Sequence, residues 1–282
     1  MSTPELVRVN GRDAATVSVL ERALHYGDGL FETMACLEGR VRLLDLHLTR
    51  LAAGCARLGI AAPASDTLRA ELAAVAGGCP RAIIKLLVTR GEAQARGYAL
   101  TGAETATQST LRFPWPADDG RAALEGVRVR SAALRLGENP ALAGIKHCNR
   151  LEQVLARREW NDPGIAESLL YSSSGALVSG TMTNVFIVKQ GALCTPHLDC
   201  CGVAGVMRRT VLALAAQLGI DAREERLTQA DLQLAEGMFL TNALIGIHPV
   251  RELDGRALAR GTLTARLQQQ LPRVLGAGDS SA

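Results

Sequence analysis

One lysine in this chain stands where its amine could do chemistry. The 282 residues include only three lysines, Lys85, Lys146 and Lys189, beside 28 arginines. An arginine side chain stays protonated near neutral pH and cannot act as an amine nucleophile or a general base, whereas a lysine can. In NPALAGIKHCNRLEQV the apolar residues before Lys146 could bury its amine in part, and burial activates a lysine. The alternative is a surface lysine in a chain whose coding bias favours arginine.

A second segment, CGVAGVMRR, suits an anion such as a phosphate. Gly202 and Gly205 let the backbone approach a ligand closely, and Val206 and Met207 begin a helix. The first N–H groups of a helix lack intrahelical partners and attract anions. The same glycines also fit a plain turn before a helix, so the local pattern leaves both interpretations open.

Three further residues carry polar groups that can bind an anion. Thr241 and Asn242 follow the apolar run MFL and offer a hydroxyl and an amide at the end of a strand. Arg50 lies beside a helical stripe of leucines and could clamp a phosphate or a carboxylate. The structural alternatives are a turn cap for Thr241 and Asn242 and a solvated side chain for Arg50.

The composition excludes several classes of protein. The net charge is only +3 and the charged residues are interspersed, so no nucleic-acid surface is expected. The first residues, MSTPELVRVNGRD, do not resemble a signal peptide, and no apolar run approaches the length of a membrane span. The seven cysteines include no C-x-x-C pair, so neither disulfides nor a metal site are expected. We therefore expect a soluble, cytoplasmic protein without nucleic-acid or membrane partners.

The elements that must position these residues begin with an α+β domain over residues 1–115. Strands are predicted for LVRVNG, TVSV, RAIIKLLVTRG and TLRFPW, and a hairpin for LFETMACLEGRVRLL with its turn at Glu38-Gly39. A stripe of leucines predicts a helix over residues 44–58 that stops at Gly59. SDTLRAELAAVAGG predicts a second helix, capped by Ser65 or Asp66.

A linker and a larger domain are predicted for the rest of the chain. PWPADDGRAALEG has the composition of a linker, so we assign residues 116–124 to the linker and residues 125–282 to the second domain. Strands are predicted in VRVRSAALRL, ESLLYSSSGALVSGTMTNVFIVKQGALCTP and EGMFLTNALIGIHPVREL, and helices in GVMRRTVLALAAQL and GTLTARLQQQL. Lys146 should lie just before, or in the first turn of, a further helix in LEQVLARR.

Four segments together resemble the fold-type IV pyridoxal-phosphate enzymes. They are ALHYGDGLFETM with HLTRL, then GIKHCNRLEQVLA, then VSGTMTNVF, then GVAGVMRR with TNAL, and the resemblance spans residues 5 to about 253. The group contains branched-chain aminotransferases, D-amino-acid transaminases and 4-amino-4-deoxychorismate lyases. The resemblance implies a two-domain α+β fold of the D-amino-acid aminotransferase type, pyridoxal 5'-phosphate as the cofactor, and a homodimer.

The same resemblance gives roles to single residues. Lys146 would be the Schiff-base lysine and the general acid and base. The residues that would bind the cofactor with it are Arg50, Ser179, Gly205, Val206, Met207, Thr241 and Asn242. The residues that would bind the substrate are Arg96, Tyr26, His25 and Thr33. For Arg96, an exposed loop arginine without such a role is the alternative.

Within the group, GDGLFETM, the stretch Arg96-Gly97-Tyr98 and NPALAGIKHCNRLEQV are similar to the lyase branch. This branch eliminates pyruvate from 4-amino-4-deoxychorismate and leaves 4-aminobenzoate, a reaction of folate biosynthesis. Ser179 departs from the group, because many relatives place there a glutamate that contacts the pyridine nitrogen. A serine stabilises a pyridinium less well, which counts against transamination. The alternatives are a D-amino-acid or branched-chain aminotransferase and a cofactor-free binding subunit on the same fold.

Overall fold

The chain folds into two compact units. The structure, a computed structural model, describes residues 3–117 and 120–277. Unit 1 comprises Met1–Ala117 and Ile145–Asn149, and unit 2 comprises Asp118–Gly144 and Arg150–Ala282. The short segment that holds Lys146 thus groups with unit 1, although it falls within the predicted second domain.

The predicted linker is only partly covered by the structure. Residues 118 and 119 lie outside the described residues, and a short helix, α4, follows at Arg121–Glu125. The limits 1–115, 116–124 and 125–282 therefore stay predictions.

Unit 1 is built on an antiparallel sheet with three helices. The strands are β1 Leu6–Val9, β2 Arg12–Asp13, β3 Gly29–Leu37, β4 Arg40–Val41, β5 Arg81–Thr89 and β6 Thr107–Pro114. The helices are α1 Arg22–Tyr26, α2 Leu44–Leu58 and α3 Ser65–Ala76. Among the described residues the strands lie in the order β2-β1-β6-β5-β3-β4, and every neighbouring pair is antiparallel.

One face of this sheet is buried against helices α2 and α3. Along β5, Ala82, Ile84, Leu86 and Val88 are 0% exposed, whereas residues 83, 85 and 87 between them are half-buried. Successive side chains of a strand point to opposite faces, so the sheet has one buried and one partly open face. Burial of Ile84, Leu86 and Val88 contributes about 1.5–3 kcal/mol each, so this face stabilises the unit.

Two local predictions for unit 1 are confirmed in detail. Glu38 and Gly39 form the turn between β3 and β4, with φ angles of 52° and 76°. Such left-handed angles at both central residues match the right-handed twist of the strands they join. Helix α2 covers residues 44–58 and ends at Gly59, which is also left-handed.

Two other local predictions for unit 1 are wrong. The run TVSV forms no strand, because Val17 and Val19 are exposed at 50% and 74% and no described strand pairs with them. Helix α3 begins at Ser65, so its N-cap is Ala64, and no side chain caps it. A β-branched run without a neighbouring strand has nothing to pair with, and its propensity is then overridden.

Unit 2 carries a larger mixed sheet. Its strands are β7 Val127–Leu136, β8 Ile165–Ser172, β9 Leu177–Gly180, β10 Asn184–Lys189, β11 Ala192–Pro196, β12 Ala222–Glu225, β13 Gly237–Asn242, β14 Gly246–Leu253 and β15 Arg256–Ala257. Its helices after α4 are α5 Leu151–Arg157, α6 Val206–Gln217, α7 Gln229–Gln233 and α8 Thr262–Ala277. The described strands lie in the order β12-β11-β10-β13-β14-β7-β8-β9, and β15 pairs with β14.

The sheet of unit 2 contains both parallel and antiparallel strand pairs. The pairs β11–β12, β14–β7 and β7–β8 are parallel, and the remaining pairs are antiparallel. The core contains Val185 and Ile187 from β10, Leu169 from β8 and Leu240 from β13. The predicted α+β class is confirmed. No helix among the described residues is long and apolar enough to cross a membrane.

Candidate active site

Lys146 lies on a segment that pairs with β3. The Phe31 N–H donates to the Lys146 carbonyl at 3.0 Å, and the Cys148 N–H donates to the Gly29 carbonyl at 2.9 Å. Helix α5 begins only at Leu151, so Lys146 lies before this helix and outside its first turn. Backbone pairing to a strand fixes the direction of the lysine side chain more firmly than a loop would.

The Phe31 ring is the common neighbour of two lysine amines. The Lys146 Nζ lies 4.4 Å from the ring centroid, and the Lys85 Nζ lies 5.3 Å from it. A cation over an aromatic face is stabilised by about 0.5–2 kcal/mol. Lys85 stands opposite Thr33 in the pairing of β3 with β5. Phe31 and Lys85 meet only through the pairing of β3 with β5, so local sequence patterns do not predict this contact.

Arg50 is held by a buried carboxylate. Its Nε donates to the Glu32 Oε1 at 2.8 Å, and its Nη2 donates to the Glu32 Oε2. The same Oε2 lies 2.6 Å from the Nδ1 of His47. Glu32 and His47 are each 1% exposed, whereas the Arg50 side chain is 15% exposed. The Arg50 guanidinium is therefore partly exposed to solvent and is held in place by the buried Glu32.

The protonation states of this cluster follow from its burial and charges. Burial alone would raise the pKa of Glu32, but the hydrogen bonds from His47 and Arg50 outweigh it and lower the pKa. Burial lowers the pKa of His47, and the charges of Arg50 and Lys146 lower it further against the opposing effect of Glu32. His47 is thus neutral at pH 7, with its Nδ1–H donating to Glu32.

This tautomer leaves a lone pair on the Nε2 of His47. The atom is buried, and it has no hydrogen-bond partner among the described residues. Buried polar atoms normally have partners, so this one indicates a donor that the protein itself does not supply. A water molecule is one group that could supply this donor.

The cluster predicts that stability falls as the pH falls from 7 to 5. The folded pKa of His47 lies below its ordinary value of 6.5, so the unfolded chain binds the proton first and unfolding is favoured below about pH 6.5. His47→Asn keeps a donor to Glu32 but cannot titrate, so its stability should depend less on pH in this window. Urea unfolding of both proteins between pH 5 and 7.5 measures this, and parallel pH profiles would contradict the assignment.

In unit 2, the N-terminus of α6 is shaped by glycine and by Asn184. Gly205 is the N-cap, and no side chain caps the helix. The Asn184 Nδ2 donates to the Val203 carbonyl at 2.9 Å, and a Cβ on Gly205 would lie 2.0 Å from the Asn184 Oδ1. Any larger residue at position 205 would have to displace the Asn184 side chain. Val206 and Met207 follow as the first helical residues, and their N–H groups are of the kind that binds anions.

The other predicted cofactor residues of unit 2 are engaged with the backbone. The Ser179 hydroxyl donates to the Gly180 carbonyl at 2.8 Å. The Thr241 hydroxyl donates to the Gly246 carbonyl at 2.5 Å, and the Asn242 Oδ1 accepts from the N–H groups of residues 244 and 245. Their hydroxyl protons and amide oxygen thus serve the local turns, and their roles toward a cofactor stay predictions.

Glu167 on β8 is a buried carboxylate that the sequence analysis missed. Its Oε1 accepts from the backbone N–H and the hydroxyl of Thr181 at 2.9 and 2.5 Å. Its Oε2 accepts from the Met182 N–H at 3.1 Å and the Thr183 hydroxyl at 3.0 Å. The carboxylate therefore holds the turn that follows Ser179. A single glutamate in the apolar run IAESLLYS was the signal that could have found it.

The four predicted substrate residues are all in unit 1. Arg96 is exposed, and it lies in a stretch without helix or strand. The Tyr26 ring is half-buried and lies 5.8 Å from the His25 ring, whose Nε2 is 2.7 Å from the Val19 carbonyl oxygen. Thr33 is half-buried on the partly open face of the sheet. Among the described residues, no cluster of His, Cys, Asp and Glu could hold a metal ion.

Known proteins resemble this chain over nearly its whole length. The sequence pattern of the family described as Amino-transferase class IV matches residues 29–253. The crystal structure of 4-amino-4-deoxychorismate lyase from Pseudomonas aeruginosa has a TM-score of 0.92 and 44% sequence identity, covering 96% of this chain and 99% of that chain.

Two further relatives carry two different activities in their names. Aminodeoxychorismate lyase from Vibrio harveyi is 33% identical over 267 residues, covering 93% of this chain and 98% of the relative. Branched-chain-amino-acid aminotransferase from Pseudomonas aeruginosa is 30% identical over 274 residues, covering 93% of this chain and 88% of the relative. The relatives of this chain thus include both a lyase and an aminotransferase.

Proposed function

Because this chain belongs to the Amino-transferase class IV family, we propose that it is a pyridoxal-phosphate-dependent lyase. It would convert 4-amino-4-deoxychorismate into 4-aminobenzoate and pyruvate. The likeness to the Pseudomonas aeruginosa lyase over almost the whole chain carries this proposal. The place of Lys146 beside β3, with its amine over the Phe31 ring, supports it.

The side chains present suit pyridoxal phosphate. Arg50 offers a partly open guanidinium. The uncapped start of α6 at Gly205 offers backbone N–H groups. A phosphate dianion is recognised by such guanidinium and helix N-terminal donors. We therefore propose that Arg50, Gly205, Val206, Met207, Thr241 and Asn242 bind the phosphate and that Lys146 forms the Schiff base.

The proposed reaction needs an amine that acts first as a general base and then as a general acid. When bound, pyridoxal phosphate supplies an electron sink for the carbon that bears the substrate amine. Lys146 would remove the proton from this ring carbon, the C–O bond on the neighbouring carbon would break, and Lys146 would give the proton to the departing enolpyruvyl group. Pyruvate is released and the ring becomes aromatic. Aromatisation drives the elimination even though Ser179 offers the cofactor ring no carboxylate.

The second candidate is an aminotransferase, because the branched-chain-amino-acid aminotransferase from Pseudomonas aeruginosa is also similar to this chain. The following test distinguishes the lyase from the aminotransferase. Purified protein with pyridoxal phosphate and 4-amino-4-deoxychorismate should release pyruvate and 4-aminobenzoate in equal amounts without a keto-acid acceptor. Absolute dependence on 2-oxoglutarate or pyruvate as acceptor would instead establish the aminotransferase. A colourless protein that takes up no cofactor would support a binding subunit.

We also propose a homodimer, because α5 presents an apolar face without cover. Leu151, Val154 and Leu155 are 77%, 53% and 49% exposed. A contiguous exposed apolar group of this kind marks an interaction surface. Leu151→Glu should raise the dimer dissociation constant by about 30-fold, the effect of losing about 2 kcal/mol at an interface hot spot.

Sedimentation equilibrium measures this change. Leu234→Glu is the matched control, since Leu234 is 75% exposed and lies at the C-terminal end of helix α7 in unit 2. A wild-type protein that is monomeric at micromolar concentration, or equal dissociation constants for the two variants, would contradict the proposed dimer surface.

A further inference from the structure

We propose that Arg22 is a positioning residue for substrate binding, because it tethers the loop that carries Arg96. This inference rests on the proposed function, in which the Arg96 guanidinium binds a substrate carboxylate. Arg22 is only 4% exposed at the start of α1, far from Arg96 in sequence. Its importance comes from what its guanidinium contacts.

The Arg22 guanidinium reaches the backbone directly after Arg96. Its Nη2 donates to the Tyr98 carbonyl at 3.2 Å, and its Nη1 makes a longer contact with the Gly97 carbonyl at 3.5 Å. Its Nε donates to the Asp28 Oδ2 at 2.9 Å. Hydrogen bonds from a charged group are stronger than those between neutral groups, so the tether can fix an otherwise irregular loop.

Aromatic contacts support the same tether. The Arg22 Cζ lies 5.0 Å from the centroid of the Tyr26 ring, and the Tyr26 ring lies 5.2 Å from the Tyr98 ring. Tyr98 is nevertheless 82% exposed, so packing alone does not hold it. The Arg22 guanidinium and the Tyr26 ring thus form the surface of helix α1 against which the loop lies.

Asp28 connects this tether to a second buried arginine. The Arg90 Nε and Nη2 donate to the two Asp28 oxygens at 2.8 and 3.1 Å. The other Arg90 donors reach the Leu58 and Gly59 carbonyls, both at 2.7 Å, at the end of α2. Burial would raise the pKa of Asp28, but the hydrogen bonds and charges of Arg90 and Arg22 outweigh it and lower the pKa. The carboxylate stays charged and serves both arginines.

Arg90 therefore offers a matched control for Arg22. The two guanidiniums share one carboxylate and have similar burial. The Arg22 guanidinium donates to the carbonyls that follow Arg96, whereas the Arg90 guanidinium donates to the end of α2. Loss of Arg90 should reduce stability and leave the loop in place. Loss of Arg22 should reduce stability and also free the Arg96-Gly97-Tyr98 stretch.

The experiment compares the holoenzymes of wild type, Arg22→Gln, Arg90→Gln and the milder Arg22→Lys. Trypsin cleavage of the Arg96–Gly97 bond, followed by mass spectrometry under native conditions, needs no substrate and no turnover. We expect cleavage about tenfold faster in Arg22→Gln than in Arg90→Gln, from the loss of one charged hydrogen bond. The KM for the substrate should rise about tenfold in Arg22→Gln with kcat within a few-fold of wild type, and Arg22→Lys should lie between.

The two proposals fail in different ways. Equal cleavage rates in Arg22→Gln and Arg90→Gln would overturn the tether whatever the enzyme catalyses. If Arg22→Gln does not fold, the same comparison is made between Arg22→Lys and Arg90→Lys. Faster cleavage with an unchanged KM would overturn the link between the loop and substrate binding. Absence of pyruvate release from the wild type would overturn the proposed function alone.

Discussion

Replacing Lys146 by arginine is expected to lower the rate of pyruvate release by at least about 10³-fold. Arginine keeps a positive charge over the Phe31 ring, where the lysine Nζ lies 4.4 Å from the centroid. Its guanidinium cannot form a Schiff base or move a proton near neutral pH. The variant thus removes the amine chemistry while it preserves charge and much of the packing. Pyruvate release coupled to lactate dehydrogenase, at saturating pyridoxal phosphate, measures the effect.

Lys189→Arg is the matched control for this substitution. Lys189 ends β10 and forms ion pairs with Glu225 and Asp231 at 2.6 and 3.1 Å. Arginine can keep both ion pairs, so this variant should retain wild-type turnover. If the Lys146 variant turned over as fast as the Lys189 variant, Lys146 would not be the catalytic lysine, and the lyase mechanism proposed for it would have to be withdrawn.

Local rules account for the parts of the fold that frame the site. The leucine stripe and Gly59 define helix α2, which carries Arg50, and Glu38-Gly39 closes the hairpin that begins at β3. Gly205 opens α6 as the sequence predicted. These features depend on residues close in sequence, so periodicity and turn chemistry are enough to find them.

Partners brought together by tertiary structure could not be found in this way. Glu32 stands 15 residues before His47 and 18 before Arg50, and the three meet only because α2 packs on the buried face of β3. The pairing of the Lys146 segment with β3 joins residues that are far more distant in sequence. Charged residues inside apolar runs, as in LFETMAC, were the one local sign of such buried clusters.

The second large effect is expected from Glu32→Gln. The substitution removes the negative charge that pairs with the Arg50 guanidinium, and it leaves one acceptor oxygen where the carboxylate offered two to His47 and Arg50. Removal of one partner of a buried ion pair costs about 3–5 kcal/mol, so the cofactor-free protein should lose about 6–12 °C in Tm. An amide nitrogen in place of the Glu32 Oε2 disrupts the 2.6 Å bond to the His47 Nδ1 and the bond from the Arg50 Nη2.

Pyridoxal phosphate should reverse part of this loss if Arg50 clamps its phosphate. The dianion would neutralise the guanidinium that Glu32 no longer neutralises, so the drop in Tm should be smaller for the holoenzyme than for the cofactor-free protein. Glu71→Gln is the matched control, because Glu71 is a buried glutamate of unit 1 that pairs with Arg8 at 3.2 Å. Its loss of Tm should be the same with and without the cofactor. If the Glu32 variant lost the same Tm with and without the cofactor, Arg50 would not bind the phosphate. A guanidinium that has lost its carboxylate is stabilised by any dianion that it binds, so phosphate binding to Arg50 must reduce the loss of Tm.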